Sequence, residues 1–168
     1  MTTQQNSKVP PSLRLGWLVV ANATRARVFE RDDDNGTLRE IADLVHPDSR
    51  IHEADRGRDR PGSILKGTVG TAFEPHTDPR ARERAQFARE VCDMLERAAL
   101  EHRMPALVLM ASNPFLGELT RHLGSAAQGV LRIRIPVDLT SCQHGDLEHR
   151  VSKALRAHVP AAPTGPSF

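Results

Sequence analysis

The sequence predicts a single α/β domain. Its sheet is mixed and five-stranded, laid down as an antiparallel β-meander and then an α-β-α-β-α alternation, with helices on the sheet faces. Three observations carry this. Three strand-like stretches follow one another between residues 15 and 45, the last two joined around Asn35-Gly36. Helical and strand periodicities alternate from Asp78 onward. The chain has 168 residues, 39% hydrophobic and 26% charged, the balance of one globular domain.

The elements follow in order. Residues 1–12 are polar and end in prolines, and read as a disordered tail; PAAPTGPSF at 160–168 reads likewise, leaving the domain at 13–159. LGWLVVAN (15–22) has the unbroken apolar run of a strand buried on both faces. After the turn ATRA, residues 25–30 resume as a strand. Asn35-Gly36 suits a type I′ hairpin, whose central residues both need positive φ. LREIADLV (38–45) carries apolar residues at spacings a helix would also accept. Its shortness, the turn before it and the stop at His46-Pro47 favour a strand.

Residues 47–77 show no strong period, only charge, Gly and Pro. A loop this long within one domain is functional or disordered; a short strand or turn fits near 64–73. Asp78-Pro79 then predicts a helix start, with Asp as N-cap and Pro at N1. The helix runs to about His102. Phe87, Val91, Met94/Leu95 and Ala98 form its apolar stripe, and Arg82, Glu83, Arg89, Glu90, Asp93 and Arg97 the opposite face. ALVLMA (106–111) is a buried strand. Ser112-Asn113-Pro114 is expected to cap a helix bearing Phe115, Leu116, Leu119 and Leu123. VLRIRI (130–135) alternates as a strand, and a last helix from about Gly145 presents Leu147, Val151 and Leu155. Connection rules place the later strands beside strand 1 and parallel to it.

Composition excludes several classes. The net charge is +2, mildly basic, and nearly all cations are Arg, which suits bidentate contact with phosphate or carboxylate. Cys92 and Cys142 have no CxxC partners, so neither a disulfide framework nor a zinc ribbon is expected. Cys92 reads as a core residue. The first twelve residues lack a basic region followed by an apolar core, and no apolar run nears the ~20 residues of a membrane span. The expected location is the cytoplasm.

Residues 56–70 read RGRDRPGSILKGTVG. A P-loop needs GxxxxGK[ST] between a strand and a helix; here Lys66 precedes Gly67. A dinucleotide fingerprint fails too, because strand 1 is followed by ATRA. What remains is a glycine-bearing cationic loop: Arg56, Arg58, Arg60 and Lys66, offset by Asp55 and Asp59, with Gly57 and Gly62 allowing close backbone approach. Arg25 is a further candidate contact for an anionic partner. The plain alternative is a solvated loop with internal Arg–Asp pairs. No cofactor or catalytic residue is assigned. A two-metal nuclease needs gathered carboxylates; Asp138, Asp55 and Asp59 are the weak candidates, and strand 1 ends in Asn22 where an Asp would serve. The histidines are scattered without HExxH spacing and read as surface residues.

The succession ATRARVFE (23–30), DRPG (59–62), NPFLGEL (113–119) and DLT (138–140), spread over residues 15 to 157, resembles the bacterial family of proteins required for attachment to host cells. That family is similar to the middle domain of archaeal and eukaryotic peptide-chain release factors. The resemblance implies a ribonuclease-H-like fold, with loop 47–77 in the slot that carries a Gly-Gly-Gln tip in release factors. This loop has no Gly-Gly-Gln, and Gln86 lies in the following helix, so peptidyl-tRNA hydrolysis is not implied. The resemblance also implies an Asp in many relatives where this chain has Asn22.

Three readings follow. The first is a non-enzymatic binding protein contacting the ribosome, RNA or another anionic partner. The second is a metal-dependent nuclease or phosphoester hydrolase. The third is a protein-interaction module or homodimer with no nucleic-acid role.

Overall fold

The computed structural model describes residues 16–31, 36–46 and 78–158. Both expected tails and the segment 47–77 lie outside the described residues. So do Arg56, Arg58, Arg60, Gly62, Lys66, Asp55 and Asp59.

The strands form one sheet in the order β3-β2-β1-β4-β5. They are β1 (Gly16–Ala21), β2 (Arg25–Arg31), β3 (Leu38–Val45), β4 (Leu107–Ala111) and β5 (Leu131–Ile135). β2 pairs antiparallel with both β1 and β3, whereas β4 pairs parallel with β1 and with β5. Thus β1, β3, β4 and β5 all run one way. The meander and the parallel strands beyond β1 are as expected from sequence, in an arrangement compatible with a ribonuclease-H-like fold. Gly36 has φ of 68°, the left-handed conformation its hairpin position demands.

β1 is buried along its apolar run and divides the core by alternation. Trp17, Val19 and Ala21 face one side; Leu18 and Val20 face the other. The first side packs under helices α1 (Pro79–Leu100), α2 (Phe115–His122) and α3 (Ser125–Val130). Phe87, Val91, Leu95 and Ala98 form the buried stripe of α1, as the 3.6-residue period requires. The second side packs under α4 (His144–His158) through Leu147, Val151 and Leu155. Burying one such Leu or Phe contributes about 1.5–3 kcal/mol.

Helix α1 begins as its sequence predicts. Pro79 opens it, and the Asp78 carboxylate accepts a hydrogen bond from the Arg80 N–H at 3.1 Å. It ends at Leu100 rather than near His102, because His102 turns left-handed at φ 56°. The N–H of His102 then bonds the Ala99 carbonyl, and that of Arg103 the Ala98 carbonyl, the paired closure of a Schellman end.

Two expectations for the second half need correction. Ser112 and Asn113 do not cap α2; its cap is Pro114, with no side-chain hydrogen bond, and the Ser112 contribution is its backbone carbonyl, which accepts from Leu116 N–H. Helix α3 was not expected at all. Its N-terminus is capped from α1, where the Glu96 carboxylate accepts from Ala126 N–H (3.1 Å) and Ala127 N–H (2.9 Å). A carboxylate there also suits the helix dipole. Gly124 makes room for it, since a Cβ would stand 2.3 Å from the Glu96 carboxyl carbon.

Candidate functional site: the carboxyl edge of the sheet

Because β1, β3, β4 and β5 share one direction, their carboxyl ends meet at one edge. Asn22 follows β1, His46 follows β3, Ser112 follows β4, and 136–140 follows β5. Open α/β sheets bind ligands in the crevice outside these ends. Helix α1 runs the opposite way. It ends beside the start of β4, where the Trp17 N–H meets the Ala106 carbonyl at 2.8 Å, so Asp78 and the first turns of α1 lie at the carboxyl edge. His46 and Asp78, the described residues on either side of 47–77, thus both lie at this edge.

The centre of the edge is a polar clasp. Asn22 donates from its amide nitrogen to Asp138 Oδ2 (3.0 Å) and to Thr140 Oγ1 (2.8 Å). Asn22 Oδ1 accepts from the backbone N–H groups of Thr24 and Arg25 and from the Thr24 hydroxyl, at 2.9–3.0 Å. It thereby folds the β1–β2 turn around itself. Asp138 Oδ1 accepts from Thr140 N–H (2.9 Å) and the Thr140 hydroxyl (2.6 Å). Every hydrogen on the Asn22 amide and on the Thr140 hydroxyl has a partner. Burial works against the Asp138 charge, but hydrogen bonds from Thr140 and Asn22 outweigh it and hold its carboxyl below the usual range. An amide rather than an acid at position 22 is what this closure requires, because only the amide can donate to both oxygens.

Beside the clasp, two arginines of β2 reach across to β3. Arg25 donates through Nε and Nη2 to Asp43 at 2.8 and 2.6 Å. That hydrogen-bonded pair lowers the Asp43 carboxyl and raises the Arg25 guanidinium. The bidentate contact uses two of the five guanidinium donors. Arg27 is buried, 7% exposed. It donates to both Glu40 oxygens (3.2 and 2.7 Å) and to the Cys142 carbonyl (2.9 Å), with its guanidinium 5.0 Å from the Phe29 ring centre. It ties the turn before α4 to the sheet.

On the opposite sheet face His46 packs edge-on against Phe87, ring centres 5.4 Å apart, and Phe87 stacks on Phe115 at 5.6 Å. His46 is 5% exposed, which corrects its reading as a surface histidine. Among the other described histidines, His102, His144, His149 and His158 are exposed and His122 is intermediate. Cys92 is a core thiol as expected: burial, with Asp93 nearby, pushes it up to about 12, and it points at the Leu119 carbonyl. Among the described residues, no group of three His, Cys, Asp or Glu side chains could hold a metal ion.

The chain matches the family model described as "Protein required for attachment to host cells" over residues 17–151. The chain belongs to that family. No curated protein matches it. A solved structure titled "Archaeal protein" aligns over 84% of this chain and 36% of its own, at 8% identity and a TM-score of 0.42. This chain thus spans 36% of that protein's length, and the likeness is too loose to bear on fold or function.

In this member of the attachment family, the structure places three of the sequence-derived residues at one edge. Asp138 joins Asn22, and Arg25 stands beside them, committed to Asp43. The remaining candidates lie outside the described residues. Thr140 was missed as a partner. Its signal was available: DLT puts a hydroxyl two residues after an acid, the spacing of a local side-chain turn. Among the described residues, no helix is long and apolar enough to cross a membrane.

Proposed function

We propose that this attachment-family protein is a non-enzymatic cytoplasmic binding protein, and that it contacts RNA, on the ribosome or free, at the carboxyl edge of its sheet. The supporting observation is that His46 and Asp78 both lie at that edge. The chain between them carries Arg56, Arg58, Arg60 and Lys66, and its two described anchors stand where open α/β sheets bind ligands. Gly57 and Gly62 let backbone approach a phosphate closely. The clasp supports a binding role over a catalytic one. Asp138, the described carboxylate at the centre of the edge, is spent on Asn22 and Thr140, with one Oδ1 already accepting twice.

In this reading attachment is affected indirectly, through expression of surface components. The test is co-sedimentation with ribosomes and pull-down from lysate, with and without RNase. The wild-type chain is expected to lose its partners on RNase treatment, and Arg58→Ala/Arg60→Ala to co-sediment poorly. A double variant that co-sediments like wild type sinks the proposal.

A further inference from the structure

Helix α1 carries its charge the wrong way round for its own stability. Arg80, Arg82, Arg84 and Arg89 crowd its first three turns against Glu83 alone, while Glu90, Asp93 and Glu96 with Arg97 occupy the second half. The helix dipole favours acids at the start and bases at the end, and the first turn holds no acid. The Asp78 cap and Arg97 in the last turn offset part of this, and the remaining excess of arginine at the start points to a functional surface.

Pairing points the same way. Arg25, Arg27, Arg39, Arg103 and Arg121 each form an ion pair. Among the described residues, Arg80, Arg82, Arg84 and Arg89 have neither an ion pair nor a side-chain hydrogen bond; Arg97, Arg132, Arg134, Arg150 and Arg156 share this, but only the start of α1 gathers four such groups within three turns. Position adds a third argument. Arg80 and Arg84 stand at i and i+4 on the stripe that continues as Phe87 and Val91. Phe87 packs on His46 at the end of β3, so Arg84 and Arg80 are one and two turns beyond the sheet, over its carboxyl edge. Arg84 is half-buried, and its Nε is closed to solvent with no hydrogen-bond partner. A guanidinium N–H kept from both water and acceptor is costly, so Arg84 is not at this position for stability.

We propose that the overhanging start of α1 contacts RNA phosphates through Arg80 and Arg84 at the carboxyl edge, while Arg82 and Arg89, on the opposite side of the helix, add to the field without joining that contact face. This deepens the proposed function and rests on its choice of RNA, but the face is separate from the 47–77 segment. Planar five-donor groups match phosphate oxygens, and four unpaired charges on three turns complement a polyanion.

The experiment is fluorescence anisotropy with a labelled single-stranded RNA, longer than the roughly 4–16 nucleotides of a typical single-strand groove, titrated across a salt series. Three full-length variants accompany wild type: Arg80→Gln/Arg82→Gln/Arg89→Gln, Arg84→Met, and Arg56→Gln/Arg58→Gln/Arg60→Gln. The α1 triple variant is expected to flatten the slope of log affinity against log salt by about 1, chiefly through Arg80, and to melt at or above the wild-type temperature. Arg84→Met should flatten it by about 1 with no loss of melting temperature. Wild-type slopes in both α1 variants would overturn the inference; if the segment variant then loses binding, the proposed function survives alone. Loss of binding in the α1 variants with a wild-type segment variant keeps the inference and removes the segment's role. Wild-type protein that ignores RNA, or binds only anionic vesicles, overturns both.

Discussion

The arginines of β2 and those of α1 are the same residue type put to opposite uses. Arg25 and Arg27 each close on a carboxylate of β3, and Arg27 adds a backbone carbonyl and an aromatic face. Their charge is consumed inside the molecule. On the opposite sheet face, Arg80, Arg82, Arg84 and Arg89 keep theirs. The difference has a structural origin. α4 covers the second face over β1, β4 and β5, reaching Phe29 and Leu38, and the rest of β2 and β3 on that face is roofed by ion pairs. The first face is sealed by α1, α2 and α3, and there α1 outruns the sheet. Over β2 and β3, paired arginine completes a roof where a helix is missing, whereas Arg80 and Arg84 stay unpaired where α1 overhangs the sheet.

Substitutions can break this contrast, beginning with the largest effect. Arg27→Leu strands Glu40 and the Cys142 carbonyl together, and is expected to cost about 3 kcal/mol in urea unfolding. A loss below about 1 kcal/mol would show that the buried pair is dispensable. Asn22→Asp replaces the clasp donor with a second carboxylate facing Asp138, at a cost of about 1–2 kcal/mol at pH 7. Its pH dependence should invert that of wild type. In wild type the lowered Asp138 and Asp43 carboxyls contribute stability that is full above their unfolded value near 4 and is lost as pH falls through the folded values. In Asn22→Asp one carboxyl of the pair is raised, so the variant should recover relative to wild type as pH drops towards 4. Equal deficits at both pH values would contradict the clasp. Arg25→Ala breaks a half-exposed pair and should cost under about 1 kcal/mol. Arg80→Gln, in the first turn of α1, should gain a few tenths of a kcal/mol, about the dipole contribution it removes. A clear loss there would make Arg80 structural.

The pattern of legibility follows from range. β3 was readable at 38–45 because its signals are local: Asn35-Gly36 before it and His46-Pro47 after it. The cap of α1 at Asp78 was equally local. Helix α3 was not, since SAAQGV is short and its cap comes from Glu96, thirty residues away. Asn22 and Asp138 were each noticed singly, but their bond spans 116 residues and only strand direction brings them together. His46 looked like a surface residue because nothing nearby in sequence announces Phe87 as its neighbour. The arginines of α1 were read in part as a solvent face, at Arg82 and Arg89. Arg80 and Arg84 belong to the apolar stripe by spacing, and only the end of the sheet shows why they are charged.

The division of labour between the two arginine groups is tested most directly by measuring melting temperature and RNA affinity side by side on Arg27→Leu and on Arg80→Gln/Arg82→Gln/Arg89→Gln. The account predicts a crossed result: the first variant melts lower yet binds as wild type while folded, and the second melts as wild type yet binds weakly. A lowered melting temperature with intact RNA affinity in the α1 variant would contradict it.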